Sequence, residues 1–282
     1  MHKVVGTALA FAGLIFSIAC TTGSPGTPPR YDHVVIAIEE NKDASEVAGY
    51  PYISSLGAEG TSFTQMYAIT HPSQPNYIAL FSGSTQGVTD DGLYNLKAPN
   101  LSTSLLPKGF TYASYSEGLP ADGSTVETSG RYARKHNPAA SFTNVAGTTT
   151  LKMFSEFPTR FTDLPTVSYV IPDLDDDMHD GATVAAQIAT GDTWLQTQLD
   201  GYVQWAQLHN SLFILTFDEP EAASAAATTP IATIFVGQHV KQGVTATYVT
   251  LYSVLRMLDD MYGLPYLGEE ATAPVIPSEI WN

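Results

Sequence analysis

Three short apolar runs in this chain each break off into a cluster of carboxylate and amide side chains. His33-Val34-Val35-Ile36-Ala37-Ile38 leads into Glu39-Glu40-Asn41, Val167-Ser168-Tyr169-Val170-Ile171-Pro172 precedes Asp175-Asp176-Asp177-Met178-His179-Asp180-Gly181, and Ser211-Leu212-Phe213-Ile214-Leu215-Thr216-Phe217 ends in Asp218-Glu219. Continuous, β-branched runs of this length read as strands buried on both faces. The carboxyl ends of such strands are where open α/β sheets form their sites. Two adjacent carboxylates repel one another unless a cation sits between or beside them. Surface acids would scatter along loops; these gather directly after apolar strands, which points to a site.

Further strand-like runs at 62–68, 110–115 and 231–236 alternate with helical stretches near 50–59, 75–83, 184–209 and 247–262. The alternation predicts an α/β fold, a mostly parallel sheet covered by helices on both faces. Gly191 and Gly201 interrupt the longest helical stretch and are candidate breaks. Residues 84–161, rich in Gly, Ser, Thr and Asn, are expected to form loops or a cap over the substrate entrance. At 282 residues the chain can bury a full core as a single domain over 31–282.

His71-Pro72-Ser73-Gln74-Pro75-Asn76-Tyr77 places a hydroxyl at the start of a helix, with a histidine two residues before it. The unpaired N–H groups of a helix's first turn favour a phosphate there, and Pro75 has no N–H to lose in that turn. Ser73 therefore reads either as a nucleophile or as a plain N-cap.

Taken together, Glu40-Asn41, His71-Pro72-Ser73 with Pro75-Asn76-Tyr77, Lys135-His136-Asn137-Pro138, Asp177-Met178-His179-Asp180-Gly181 and Asp218-Glu219 resemble, in order, the motifs of the bacterial phosphoesterase family. That family holds secreted acid phosphatases and phosphocholine-type phospholipases C within the alkaline phosphatase-like superfamily. The resemblance spans about residues 31 to 265. Ser73 to Tyr77 and Ser82-Gly83-Ser84-Thr85-Gln86-Gly87 are most similar to the short secreted acid phosphatases, the mycobacterial one among them.

The resemblance implies that Glu40, Asn41, Asp218 and Glu219 hold one divalent cation together with the Ser73 hydroxyl. Oxygen ligands of this kind favour Ca²⁺, Mg²⁺ or Mn²⁺, with zinc left open. Glu39 is the alternative to Glu40, because neighbouring strand residues face opposite ways. The resemblance further implies a phosphoserine intermediate on Ser73. His71, His136 and His179 are the candidates to bind phosphate oxygens and protonate the leaving group, and Asp177 to orient one of these imidazoles. His179, set among acids, suits work at mildly acidic pH. Core or surface roles suffice for His33, His209 and His239. The expected activity is hydrolysis of phosphate monoesters, phosphoinositides being admitted by the resemblance. The rival within enzymes is a phosphodiesterase or phospholipase C; the rival outside them is a non-catalytic lipoprotein that binds phosphate or phospholipid.

A formal charge of −16 with only 12 Lys and Arg excludes nucleic-acid or anionic-membrane binding through a basic patch. A cation and a helix N-terminus can then supply the positive charge that a phosphate needs. The densest basic cluster, Arg131, Arg134 and Lys135, is a candidate guide for the substrate. Residues 1–19 read as a signal peptide: Lys3 precedes the apolar run Val4 to Ala19, which leads into Cys20, the single cysteine. Ser17-Ile18-Ala19-Cys20 resembles a lipobox, so Cys20 is expected to be lipidated and to anchor an exported protein, with 20–30 as a tether; the alternative is an ordinary cleaved signal and a secreted protein. A single cysteine allows no intrachain disulfide.

Overall fold

The computed structural model describes residues 1–2, 27–145, 147–222 and 226–282. Most of the signal segment, Cys20 and most of the tether lie outside the described residues.

The elements follow in the order β1 (His33–Glu39), α1 (Ala44–Val47), α2 (Pro51–Glu59), β2 (Thr61–Phe63), β3 (Met66–Tyr67), α3 (Ser73–Ser82), α4 (Leu101–Leu105), β4 (Tyr112–Ser116), β5 (Thr128–Ser129), β6 (Tyr132–Ala133), β7 (Leu151–Met153), β8 (Val167–Ile171), α5 (Val184–Ala206), β9 (Ser211–Phe217), β10 (Thr233–Gly237), β11 (Gly243–Thr245), β12 (Val249–Thr250) and α6 (Leu251–Tyr262). Eight strands form one sheet in the order β11-β2-β10-β9-β1-β8-β4-β7. Only β10 runs against the rest, antiparallel to both β9 and β2. The three acid-tipped runs become the neighbours β8, β1 and β9, with Ala37 opposite Val170 and Glu39 opposite Phe217. Their carboxyl ends therefore meet at one point on the sheet edge. Unbroken burial along β8, β9 and β1 from Val34 onward follows from helices on both sides: α2 and α5 pack on one face, α3 and α6 on the other.

Three expectations change. The run 62–68 divides into β2 and β3, and β3 leaves the main sheet to pair with β12. Residues 84–161 contribute β4 and β7 to the sheet besides their loops. Neither Gly191 nor Gly201 breaks α5, which runs unbroken through both. A Cβ at Gly191 would stand 2.5 Å from Met178 Cγ and 2.8 Å from Asp176 O, so this glycine lets α5 press against the 173–181 loop.

Candidate active site

Ser73 opens α3, and its hydroxyl caps nothing. The N-cap position is Pro72, and the Ser73 hydroxyl instead donates toward Glu40 Oε2 at 2.9 Å and Glu219 Oε1 at 3.1 Å, with Asn41 Oδ1 at 3.4 Å. The plain N-cap reading is thereby ruled out. The approach to the serine is pinned by Asn76: its Oδ1 accepts from Ile69 N and Thr70 N at 2.9 and 3.0 Å, and its Nδ2 donates to Thr70 O and Pro72 O.

β1 ends in a sharp reversal. Asn41 takes a left-handed backbone at φ 49°, which asparagine tolerates better than most residues, and its N–H donates to Asp218 Oδ1 at 3.0 Å. The same Asp218 oxygen accepts from Glu219 N at 2.6 Å. Asp218 thus ties the β1 and β9 ends together with one oxygen and leaves Oδ2 buried without a partner. Alternation along β1 sends Glu40 to the α3 face, beside Ser73, and Glu39 to the other.

Two of the imidazoles, His136 and His179, stand on the far side of Glu40. His136 Nε2 lies 3.2 Å from Glu40 Oε1, and its Nδ1 lies 2.9 Å from Asp177 Oδ2. His179, half-exposed, has its N–H on Asp177 Oδ1 and its Nδ1 2.6 Å from Asp180 Oδ1. His71 Nδ1 approaches Glu219 Oε2 to 2.5 Å without hydrogen-bond geometry. Every residue singled out from sequence, Glu40, Asn41, His71, Ser73, His136, Asp177, His179, Asp218 and Glu219, is brought to this one edge.

Burial sets the electrostatics. It lifts Asp218 to about 7 and Asp177 to about 8; Glu219 rises to about 9 through burial and then Asp218. Burial, then Asp218 and Asp177, pushes Glu40 well above the carboxylate range, and burial holds His136 well below an ordinary histidine. So many acids crowded together favour either protons or a cation. Glu40 Oε1, Asp218 Oδ2, Glu219 Oε2, His71 Nδ1 and His136 Nε2 are all buried atoms without hydrogen-bond partners. Unpaired buried lone pairs converging from several elements are the mark of a group meant to be ligated. Glu40, His136 and His179 also offer ligand atoms within 4.8 Å of one another. The donor set therefore fits a divalent cation on either side of Glu40, with mainly oxygens and His71 Nδ1 on the Ser73 side and the nitrogens of His136 and His179 on the other.

Three partners were given no role from sequence. Tyr77, one helical turn after Ser73, stacks on His136 at 5.4 Å and 10°. The spacing of four is the signal that places both on one helix face. Asp91 anchors Gln74 N and Lys135 Nζ, and Asp180 holds both His179 and Arg131. The basic cluster needs correction. Arg134 is buried and spends its guanidinium on Ala140 O, Thr125 O, Tyr94 O and Asn95 Oδ1, so it braces a loop and guides nothing.

A serine at a helix N-terminus, set among carboxylates and imidazoles at the carboxyl edge of this sheet, defines an alkaline phosphatase-like hydrolase. The fold is shared with a protein in the alkaline phosphatase superfamily from Vibrio parahaemolyticus, at TM-score 0.62 and 13% identity over 89% of this chain and 72% of that one. It is shared too with murine ectonucleotide pyrophosphatase/phosphodiesterase 5, at TM-score 0.57 and 10% identity over 88% and 99% of the two chains. Residues 46–265 match the Phosphoesterase family. The chain is 44% identical to the phosphatidylinositol-3-phosphatase of Mycobacterium tuberculosis over 90% of its length and 84% of the relative's. It is 30% identical to an acid phosphatase of Aspergillus fumigatus over 81% of its length, spanning 54% of that longer protein. The chain belongs to the Phosphoesterase family and is a hydrolase acting on phosphate esters.

Proposed function

We propose that this hydrolase is an exported phosphomonoesterase of the acid phosphatase type, working through Ser73 and a phosphoserine intermediate. The observation that carries the reading is the buried Ser73 hydroxyl, directed at Glu40 and Glu219 from two different strand ends. A binding protein has no use for a hydroxyl so placed.

Glu40, Asn41, Asp218, Glu219 and Ser73 would hold one divalent cation; when bound, it lowers the pKa of the hydroxyl and offsets charge on the phosphate. The residues do the rest. Ser73 Oγ attacks phosphorus in line while its proton passes to Glu40 Oε2, the nearer acceptor, which would be ionised when the cation is held. The N–H of Ser73, at the positive end of α3, would face a phosphate oxygen, while that of Gln74 is held by Asp91. As the bond from phosphorus to the leaving oxygen breaks, His179 gives that oxygen a proton, its Nδ1 steadied by Asp180. Water then attacks phosphoserine from the opposite side, His179 takes the water's proton, and Ser73 recovers its own. Two in-line displacements leave the configuration at phosphorus retained. Asp177 holds the His136 ring, and the stacked Tyr77 fixes its plane.

The name of the mycobacterial relative describes a phosphatase of phosphatidylinositol 3-phosphate, which supports a monoester on a lipid headgroup as substrate. The expected signal peptide and lipidated Cys20 belong to the same reading, since they would set the enzyme at a membrane surface. The test is hydrolysis of an aryl phosphate monoester and the matching diester by wild type and Ser73→Ala. Monoester turnover should fall by at least about 10³-fold in the variant with its circular dichroism unchanged. Faster diester hydrolysis by wild type would move the assignment to the phospholipase C branch, and undiminished turnover in the variant would refute the serine mechanism.

A further inference from the structure

Glu39 is the residue the mechanism leaves unused. It is fully buried at the end of β1, on the opposite face from Glu40, and neither carboxylate oxygen has a hydrogen-bond partner. A buried carboxylate in that state is costly unless something positive answers it. Among the described residues no lysine or arginine pairs with it, and the charges acting on it are Asp177, Asp176, Glu117 and Asp192, all acidic. Two of them belong to a tight group. Glu117, just past β4, and Asp173 and Asp176, in the loop after β8, present one carboxylate oxygen each within 4.8 Å of one another. These three are half-buried, and no ion pair to any of them occurs among the described residues. Arg131, which reaches this loop from the turn between β5 and β6, is turned to Asp175 and Asp180 instead.

We propose that Glu117, Asp173 and Asp176 form a second cation site, separate from the one beside Ser73, that takes a hard divalent ion of the calcium type. Three carboxylates with room for water suit an ion that wants six to eight oxygen ligands. Glu39 supplies negative charge from the buried side, where water cannot screen it. The site would join the ends of β4 and β8 under the loop that carries Asp177 and His179. Glu117 Oε2 already accepts from Asp173 N at 3.2 Å, so an ion would tighten a link that exists. The ion would thus fix the two residues that orient and supply the catalytic imidazoles, from behind and without touching substrate.

Calcium alone, titrated calorimetrically into the chelator-stripped full chain, tests this. Glu117→Gln/Asp176→Asn should bind one calcium fewer than wild type, whether or not the residues beside Ser73 also take calcium. Glu40→Gln, on the other side of β1, should leave this site filled. Should the double variant not fold, Glu39→Gln serves in its place, since loss of an outer-sphere carboxylate weakens a metal site about 10- to 100-fold. Calcium binding equal to wild type in number and affinity in the double variant, or in Glu39→Gln where that stands in, overturns the site, as does a wild type that binds none.

Discussion

The two basic residues left beside the site do different work. Lys135 pairs with Asp91, which also fixes the N–H of Gln74, so its ammonium stands next to the start of α3 where an anionic substrate arrives. Arg131 is spent on Asp175 and Asp180, and Asp180 in turn holds Nδ1 of His179. Lys135→Gln should therefore raise KM and leave kcat nearly unchanged, because only charge that meets the incoming phosphate is lost. Arg131→Gln should lower kcat by about tenfold at similar KM, since it frees the partner of a proton-transferring imidazole. Steady-state kinetics on an aryl phosphate separates them; a KM effect from Arg131→Gln would return it to the role of substrate guide.

At the level of elements, α3 shows how much precision rests on one side chain. Asn76 closes the loop 69–72 with four hydrogen bonds from a fully buried amide and so sets the point at which Ser73 enters the helix. Asn76→Ala should cost about 2 to 4 kcal/mol in urea melts, because backbone N–H groups lose their partner in a largely buried place. Activity should fall more than stability alone explains; full kcat in the folded variant would show that the serine needs no such clamp. What could be read from sequence follows the same division. β1, β8 and β9 were legible because central strands carry unbroken apolar runs whose acidic ends marked the site, while it took the family resemblance to pick out Glu40, Asp177, Asp218 and Glu219 from their neighbours. The reversed direction of β10 was not, since an apolar run carries no arrow. Gly191 looked like a break because a helix's own pattern is blind to the Met178 side chain waiting against it. Arg134 looked like a surface cation for a similar reason: charge is visible in sequence, but the four carbonyl and amide oxygens that absorb it come from three separate loops.

Across the whole molecule, the acids that make the site also set how stability depends on pH. Burial raises Asp176 and Asp218 to about 7, Asp177 and Asp259 to about 8 and Glu219 to about 9. In the unfolded chain each would titrate near 4. Between those values the folded state holds more protons than the unfolded one, so stability falls as pH rises. The contribution is fully present below about pH 4 and is lost through pH 7 to 9. His136, held below its ordinary value by burial, acts in the opposite sense below about pH 6.5, but as one group against five. The chelator-treated protein should therefore melt at a higher temperature at pH 5 than at pH 8. A divalent cation answers the same carboxylates once ionised, so its addition should raise the melting temperature far more at pH 8 than at pH 5. Asp259 lies on the buried side of α6, away from the site, with neither oxygen hydrogen-bonded and Glu270 the acid that acts on it most strongly. Its share of the slope should survive cation addition and vanish in Asp259→Asn. Melting curves at the two pH values, with chelator and with cation, decide the matter. A chelated protein whose melting temperature is flat or rises from pH 5 to pH 8 would mean that these acids stay ionised in the fold, with solvent or local cations already answering them.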